Sequence, residues 1–515
     1  MYSKIYSAGI SGIDGFIVTV ECSARNKLPS FDLVGLPDLA VKEAKERVKN
    51  ACVNSGIQFP LGALTVNLAP ADKKKEGSAF DLPILLSILH AGAIIPPERD
   101  LSKKCFVGEL SLSGEVRGVR GALSMCVAAR DEGFKEFYVP SVNAGEAAAV
   151  EGIDVIAVDN IADLVRHLCG KLDMEPVHYD STIFSHEVTN YDVDFSDVKG
   201  QKLAKRAMEI AAAGNHNILL IGPPGTGKSM LAKRLMTILP PLTFDEAIES
   251  TKIYSIAGAM KQNQSLIYSR PFRSPHHTMS AVSLVGGGAN PVPGEVSLAH
   301  NGVLFLDELP EFSKQVTDTL RQPLEDGKVT ITRALAKVTF PCNFMLVAAM
   351  NPCRCGYYGH PTRPCTCKPD DVRRYISKIS GPMLDRMDIQ IELPSLTYTE
   401  ISSSFEVGEK SEEVRKRVSA ARKFAHERLE KKGRRAKPNA NLDSAEIREI
   451  CILDDTARII LRSAYDGLGL SARGYDRVLR VARTIADLDG SEEILAQHIA
   501  EAIQLRSLDK KYWGN

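Results

Sequence analysis

The sequence has no long apolar run, no excess of one charge and no even set of cysteines, and the first and last of these absences argue against a membrane protein and a disulfide scaffold. No apolar stretch of its 515 residues approaches the roughly 18 residues that cross a membrane. The start of the chain lacks the apolar core of a secretory signal. Eleven cysteines, with scattered members such as Cys22, Cys52 and Cys126, fit a reducing compartment better than a disulfide scaffold. We therefore expect a cytoplasmic protein that does not enter a membrane.

The charge balance gives no indication of a polyanionic partner. Lys and Arg total 64, and Asp and Glu also total 64. This balance does not exclude such a partner, because a basic stripe on one surface can be offset by acids elsewhere. The length instead predicts two to four domains, each with its own core.

Hydrophobic periodicity divides the chain into three regions and a linker. Residues 1–168 mix strand-like and helical patterns, and residues 169–193 form a polar linker. Residues 194–400 alternate strand and helix patterns, which indicates a parallel α/β sheet. Residues 401–515 are almost entirely helical in pattern. The predicted fold class is an α/β core, preceded by an α+β domain and followed by a helical domain.

The most informative motif is residues 222–229, which read GPPGTGKS and satisfy Gly-x-x-x-x-Gly-Lys-Ser, the phosphate-binding loop or P-loop. An apolar, strand-like run precedes it at 218–221. Glycines let backbone N–H groups converge on phosphate oxygens, and the following helix adds its positive dipole end. Lys228 is placed to reach the β- and γ-phosphates, and Ser229 to bind Mg²⁺. The predicted nucleotide contacts are Gly222, Pro223, Pro224, Gly225, Thr226, Gly227, Lys228 and Ser229.

Two further strand ends supply the remaining groups of a hydrolytic site. The buried-strand pattern at 303–306 ends at Asp307 and Glu308, and parallel sheets bind ligands at the carboxyl ends of their strands. We expect Asp307 to hold Mg²⁺ with Ser229, and Glu308 to accept a proton from the attacking water. A third strand pattern, at 344–349, leads to Asn351, whose amide could orient the same water. The alternatives are solvated acids at a strand end and an ordinary turn residue.

These features resemble the AAA+ ATPases, and the resemblance extends beyond the P-loop. The segment from Val198 to Gln201 is similar to the family's adenine-contacting segment, and Asn351 lies where the family keeps its sensor-1 residue. The segment around Arg386 looks like the one that carries the arginine finger, which implies action on a neighbouring subunit's γ-phosphate. Arg473 lies where the sensor-2 helix begins, which implies contact with the γ-phosphate of its own subunit.

This resemblance implies ATP and Mg²⁺ as cofactors and a ring, hexameric by resemblance, as the active assembly. A monomer would have no complete site if Arg386 acts on its neighbour. Without the resemblance, either arginine would be an ordinary surface residue. The implied catalytic residues are Glu308, Lys228, Asn351, Arg386 and Arg473.

Further segments narrow the resemblance to the magnesium-chelatase-like branch. They are 270–278 (RPFRSPHHT), 286–288 (GGG) and 293–295 (PGE). Within that branch, the whole chain is most similar to the ComM/YifB family, which implies translocation on DNA and branch migration in recombination or natural transformation. The alternative is a chelatase-type motor that remodels a protein partner or drives metal insertion. The third possibility, a regulator without enzymatic activity, is disfavoured because every catalytic element is present.

The first 168 residues resemble the Lon-protease domain, in segments 76–81 and 107–116. The catalytic Ser–Lys pair of that family does not carry over. The serine position falls on Ala79, although Ser78 is adjacent, and the lysine position falls near Leu123 or Met125. Because such a pair needs a hydroxyl within reach of a desolvated amine, we expect a domain without protease activity.

Four cysteines lie within fifteen residues: Cys353, Cys355, Cys365 and Cys367. Four thiols could form a tetrahedral zinc site, with His360 as a substitute for one of them. Cys-x-Cys spacing is less diagnostic than Cys-x₂-Cys, and the alternative is a reduced loop without metal. A catalytic role for this metal is not expected.

Three segments are candidate contacts for single-stranded or branched DNA. The first, within 254–298, is an insertion that contains Arg270, Phe272, Arg273, His276 and His277. The second is a predicted β-hairpin with Lys328, Arg333 and Lys337, similar to the family's pre-sensor-1 hairpin. The third is the basic run 431–437. For each segment, the alternative is a solvated charged surface.

Overall fold

The computed structural model describes residues 1–179, 191–261, 264–288, 291–333, 336–395, 408–468, 470–506, 508 and 512–513. The first region is built on a mixed sheet whose strand order is β3-β4-β2-β1-β5-β8-β9. Its strands are β1 (Tyr2–Ser11), β2 (Asp14–Arg25), β3 (Ser30–Val34), β4 (Ala63–Ala69), β5 (Lys104–Phe106), β8 (Glu136–Pro140) and β9 (Asp154–Val158), with the short pair β6 (Glu109–Leu110) and β7 (Val116–Arg117) beside it. The helices of this region are α1 (Leu39–Lys42), α2 (Ala44–Asn54), α3 (Asp81–Ala91), α4 (Ala122–Asp131), α5 (Ser141–Ala148) and α6 (Ile161–Leu168).

Alternation along the strands explains how this region folds. In β2, Phe16, Val18 and Val20 all point into the core while their neighbours are less buried. Helix α3 is apolar on all sides and buried along most of its length, so it forms the centre of the same core. The predicted mixture of strands and helices is therefore confirmed. The resemblance of this region to the Lon domain stays a prediction.

The second region contains a parallel five-stranded sheet in the order β11-β14-β17-β10-β18. Strands β10, β14 and β17 are apolar and buried on both faces, as expected for a sheet covered on both sides. The predicted parallel α/β core is confirmed. The strands of the region are β10 (Ile218–Ile221), β11 (Phe272–Arg273), β12 (Gly286–Gly287), β13 (Val292–Pro293), β14 (Val303–Leu306), β15 (Lys328–Arg333), β16 (Ala336–Pro341), β17 (Met345–Met350) and β18 (Ile389–Glu392). Its helices are α7 (Lys202–Gly214), α8 (Lys228–Ile238), α9 (Phe244–Ala257), α10 (Ala281–Val285), α11 (Glu295–Leu298), α12 (Lys314–Thr319), α13 (Arg321–Asp326), α14 (Pro369–Ile376) and α15 (Gly381–Leu384).

Because all five strands run in the same direction, the sheet has two chemically different edges. The carboxyl edge carries the residues that follow the strands, including the P-loop after β10, Asp307 after β14 and Asn351 after β17. The amino edge carries the residues that precede the strands, including Asn217 before β10 and Asp388 before β18. At about 3.3 Å per residue, strands of four to six residues separate the two edges by roughly 13 to 20 Å.

The third region is helical, as predicted, and its core is continuous with that of the sheet. The helices are α16 (Ser411–Lys431), α17 (Ser444–Ile450), α18 (Asp455–Leu468), α19 (Ala472–Leu488) and α20 (Ala496–Gln504). Val418 of α16 and Val481 of α19 are buried in the same cluster as Ala211 of α7 and Leu235 of α8. The predicted linker 169–193 falls partly outside the described residues, and the predicted boundary at residue 401 lies wholly outside them.

Candidate functional site

The P-loop lies between β10 and α8, at the carboxyl edge of the sheet. Gly225 and Gly227 have φ values of 82° and 88°, which favour glycine, so these two positions turn the chain around the phosphate cradle. Gly222 is required for a different reason, since an added Cβ would lie 2.7 Å from the carbonyl oxygen of Leu393. Thr226 Oγ1 donates to the carbonyl of Pro223 at 2.9 Å, which closes the loop on itself.

Lys228 occupies the centre of this loop and is only 8% exposed. Its Nζ donates to the carbonyls of Gly222 and Pro223 at 2.7 and 2.9 Å, and to Asn351 Oδ1 at 3.1 Å. Burial lowers the pKa of Lys228 to about 8, although the nearby Asp307 and Glu308 act in the opposite direction. The cation therefore rests among carbonyl oxygens, in the space where phosphate oxygens are expected.

Ser229 and Asp307 are in direct contact across two neighbouring elements. Ser229 Oγ donates to Asp307 Oδ2 at 2.7 Å, and the N–H of Glu308 donates to Asp307 Oδ1 at 2.9 Å. Hydroxyl and carboxylate oxygens are the ligands that Mg²⁺ prefers. The two residues that the sequence predicts as Mg²⁺ ligands thus lie within hydrogen-bond distance of each other.

Glu308 projects from a strained turn at the end of β14. Its φ of +53° is uncommon outside glycine, and its side chain is 55% exposed. His277 Nδ1 lies 3.6 Å from Glu308 Oε2. The sequence predicts His277 only as a DNA contact. Its position beside Glu308 was missed, because the two residues are far apart in the chain and share no motif.

The predicted adenine-contacting residues lie next to the P-loop. Gln201 Nε2 donates to the carbonyl of Pro394 at 2.9 Å, and the N–H of the preceding Leu393 donates to Ile221 at 2.7 Å. Val198 is buried in the core that underlies α7 and α8. These contacts place the 198–201 segment beside the carboxyl end of β10, and its contact with adenine stays a prediction.

The structure does not bring Arg386 and Arg473 to the P-loop. Both line a cavity of about 700 Å³ that is also lined by Asn217, Phe344 and Asp388, the residues that precede the sheet strands. None of the P-loop residues lines this cavity. Arg473 therefore lies at the amino edge with Arg386, which differs from its predicted position beside the γ-phosphate of its own subunit.

Arg386 is held within its own chain at this edge. Its side chain is 10% exposed and forms an ion pair with Glu325, and its Nη1 donates to the carbonyl of Pro382 at 2.6 Å. Arg477 of α19 lies nearby, 3.5 Å from Asp388 and 3.7 Å from Asp385. The cavity is thus rich in arginine, with acidic partners that a more strongly anionic group could displace.

Two of the predicted DNA contacts are engaged inside the protein. Arg270 donates to the carbonyls of Pro240 and Asn301 and pairs with Glu246 at 3.0 Å. Arg273 makes a bidentate pair with Glu295 at 2.6 and 2.7 Å. For these two arginines the structure favours a structural role over a phosphate contact.

The predicted hairpin is confirmed, because β15 and β16 pair antiparallel. Lys328 and Lys337 are both exposed on it, and Arg333 ends its first strand. In the run 431–437, by contrast, Lys432 and Arg434 pair with Glu449, and Lys437 pairs with Glu446 at 2.6 Å. The hairpin is therefore the better candidate for binding a polyanion.

The four clustered cysteines converge in space. Their Sγ atoms all lie within 4.8 Å of one another, an arrangement compatible with a zinc ion. His360 is not part of this group: its Nε2 hydrogen-bonds with Ser395 Oγ at 2.9 Å, and its Nδ1 accepts from the N–H of Arg363 at 3.0 Å.

In the first region, Ser78 has a carboxylate as its partner where a protease pair needs an amine. Its Oγ donates to Glu109. Ala79, Leu123 and Met125 are buried among apolar side chains. The partner observed for Ser78 is thus an acid, and the absence of protease activity stays a prediction.

Comparisons with known proteins cover almost the whole chain. Residues 194–401 match the family described as magnesium chelatase, subunit ChlI, and residues 408–506 match the family of its C-terminal part. Residues 20–143 match the family described as subunit ChlI of Mg-chelatase. Within the described residues, no helix is both long and apolar enough to cross a membrane.

Individual relatives agree with these matches. The chain is 44% identical over 512 residues to competence protein ComM of Haemophilus influenzae, covering 98% of this chain and 97% of that protein. It is also 44% identical over 512 residues to the uncharacterized protein YifB of Escherichia coli, covering 99% and 97%. A shorter match, 35% identical over 97 residues, is to DNA repair protein RadA of Bacillus subtilis, covering 19% and 20%. The chain belongs to the ComM/YifB family of magnesium-chelatase-like proteins.

Proposed function

We propose that the protein is a ring-forming ATP hydrolase that uses ATP to move DNA, with branch migration in recombination or natural transformation as its task. One observation carries the proposal. The phosphate-binding and acidic residues meet at the carboxyl edge of the sheet, whereas Arg386 and Arg473 meet at the amino edge. A complete site then needs two chains, each presenting a different edge to the nucleotide.

Within one chain, Lys228 and the P-loop backbone bind the phosphates, and Ser229 and Asp307 hold Mg²⁺. The metal supplies neutralisation of phosphate charge when it is bound. Glu308 accepts the proton of the attacking water, which Asn351 helps to orient from beside Lys228. Arg386 and Arg473 of the adjacent chain stabilise the charge that develops on the transferred phosphoryl group.

DNA is the proposed substrate for two reasons. ComM is named as a competence protein and RadA as a DNA repair protein. In addition, the hairpin β15–β16 exposes Lys328 and Lys337 on the chain segment that leads into β17 and Asn351. A strand bound there would be connected directly to the nucleotide site, so hydrolysis could displace the hairpin and the DNA with it.

The second candidate is a chelatase-type motor that drives metal insertion or remodels a protein partner. The family descriptions matched by residues 194–401 and 408–506 favour it. Such a motor would respond to a protein partner and would be indifferent to DNA.

The test is the steady-state ATPase rate with no DNA, single-stranded DNA, duplex DNA and four-way-branched DNA, all at one low salt concentration because phosphate contacts depend on salt. A several-fold increase with DNA, greatest for the branched form, is the expected result. ATP hydrolysis at the same rate with and without each DNA would favour the chelatase-type motor. Displacement of a labelled strand from the branched DNA then separates migration from mere stimulation.

A further inference from the structure

The four cysteines have the geometry of a site for a single metal ion. The Sγ atoms of Cys353 and Cys355 are 3.3 Å apart, and both lie near Cys365, at 3.7 and 3.6 Å. Four thiolates around zinc, with Zn–S bonds of about 2.3 Å, stand roughly 3.8 Å apart. Disulfide bonds would require sulfur atoms about 2.05 Å apart. An iron–sulfur cluster would need still wider spacing, since inorganic sulfide must fit between the cysteines.

A backbone group is directed at one of the four thiols. The N–H of Tyr358 donates to Cys353 Sγ at 3.3 Å. The segment between the two cysteine pairs has no helix or strand that would hold it together. The four thiols therefore lie close together in a segment that has no helix or strand to hold them there.

This segment lies directly on the P-loop. It begins two residues after Asn351, at the carboxyl end of β17. Gly356 has a φ of +86°, and an added Cβ there would lie 2.6 Å from Pro224 Cδ. The backbone of the cysteine segment and the proline of the P-loop are thus in van der Waals contact, without a side chain between them.

We propose that Cys353, Cys355, Cys365 and Cys367 bind one zinc ion, and that this ion holds the segment against Pro224 so that nucleotide affinity depends on zinc. The assignment of zinc to the four cysteines rests on the thiol geometry alone. The dependence of nucleotide affinity on zinc rests on the proposed nucleotide binding. Zinc would have a structural role here, because binding a metal to an otherwise irregular segment fixes the conformation of that segment.

The zinc assignment is tested by measuring the metal content of the full-length protein, purified under reducing conditions without added metal. About one zinc per chain is expected, released when a mercurial reagent titrates the thiols. Cys355→Ser and Cys365→Ser should lose the zinc, whereas Cys169→Ser, a partly exposed cysteine outside the cluster, should keep it. Wild-type protein with substantially less than one zinc, or with iron in its place, would overturn the assignment even if the variants fail to fold.

The coupling between zinc and nucleotide binding is tested by measuring the affinity for a fluorescent ATP analogue, without hydrolysis. Removing zinc from wild-type protein with a chelator should weaken binding about tenfold, the lower range for loss of a supporting metal contact, and added zinc should restore it. Gly356→Ala should keep its zinc and weaken binding. The matched control is Gly359→Ala, because Gly359 also has a positive φ, +74°, but an added Cβ there meets nothing within 4 Å.

Equal effects of the two glycine variants, or unchanged affinity after zinc removal, would overturn the coupling through Pro224. Failure of the zinc-loaded wild-type protein to bind the analogue would instead refute the proposed nucleotide site. In that case the zinc stoichiometry would still decide the metal assignment.

Discussion

Lys228 shows how a single residue links the shape of the P-loop to the chemistry of its proposed ligand. It is a buried cation surrounded mainly by neutral oxygens, two of them backbone carbonyls of the P-loop itself. Burial disfavours its charge, and bound phosphates would favour it. The protonation state of the lysine should therefore change when nucleotide binds.

Nucleotide affinity should fall as the pH rises above 8. Burial lowers the pKa of Lys228 to about 8, whereas bound phosphate oxygens would raise it. Above pH 8 the nucleotide-free protein has thus lost a proton that the nucleotide-bound protein keeps, and binding must take up that proton. We expect the dissociation constant to increase by up to about tenfold per pH unit between 8 and 9, with proton uptake measurable by calorimetry in buffers of different ionisation enthalpy.

The matched control is Lys228→Arg, which keeps its charge throughout this range. Its affinity, although weaker, should be flat between pH 7 and 9. An identical pH dependence in the two proteins would show that another group causes it.

Glu308→Gln should bind ATP and hydrolyse it about 10²- to 10⁴-fold more slowly, because the amide cannot accept the proton of water. The charge-matched control is Glu311→Gln, an exposed acid three residues away that pairs with Lys378. Binding is measured with the fluorescent analogue and turnover by phosphate release. Normal turnover in the Glu308 variant would remove this residue from the general-base role.

Among the elements, the hairpin β15–β16 is the proposed site of contact with DNA. It projects two exposed lysines from a chain segment that continues into β17, the strand that ends beside the P-loop. The hairpin also lies near the first region, since a Cβ added at Gly12, in the turn between β1 and β2, would lie 3.5 Å from Val338 Cγ1. A force on the hairpin would thus be felt by both the nucleotide site and the first region.

Lys328→Glu combined with Lys337→Glu should abolish stimulation of the ATPase by DNA and leave the basal rate unchanged. Each lost phosphate contact should also reduce, by about one, the steepness with which the logarithm of the DNA-binding constant falls against the logarithm of the salt concentration. The control is Lys431→Glu combined with Arg435→Glu, the same charge change in the exposed basic run. Equal losses in the two variants would mean that net charge, and not the hairpin, attracts DNA.

How far the sequence predicts the structure depends on how local each signal is. The P-loop, the acidic strand end and the hairpin are encoded in short segments, and the structure forms each of them where the pattern indicates. The environments of Arg270 and Arg273 depend on Glu246 and Glu295, some twenty residues away. The sequence left their role open, and only the fold pairs them. The position of Arg473 depends on how α19 packs against the sheet, which periodicity cannot specify.

At the scale of the whole molecule, the proposed nucleotide site is divided between two edges of one sheet. The P-loop lies at the carboxyl edge, and the cavity at the amino edge is lined by Arg386 and Arg473 but by none of the P-loop residues. We propose that chains with these two faces assemble head to tail, and head-to-tail contacts form a ring when the rotation between neighbouring subunits closes. The balanced net charge fits this arrangement, because a basic inner surface can be offset by an acidic exterior.

The most direct test of this account is the ATPase rate of mixtures of two inactive variants that co-assemble. Lys228→Ala cannot bind nucleotide but keeps both arginines, whereas Arg386→Ala and Arg473→Ala keep the P-loop and lose one arginine each. In a random equal mixture, about a quarter of the interfaces combine an intact P-loop with an intact amino edge. The account predicts that Lys228→Ala restores hydrolysis to each arginine variant, well above either protein alone. No recovery with Arg473→Ala would place that arginine in its own subunit's site, and no recovery with either variant would contradict a site shared between chains.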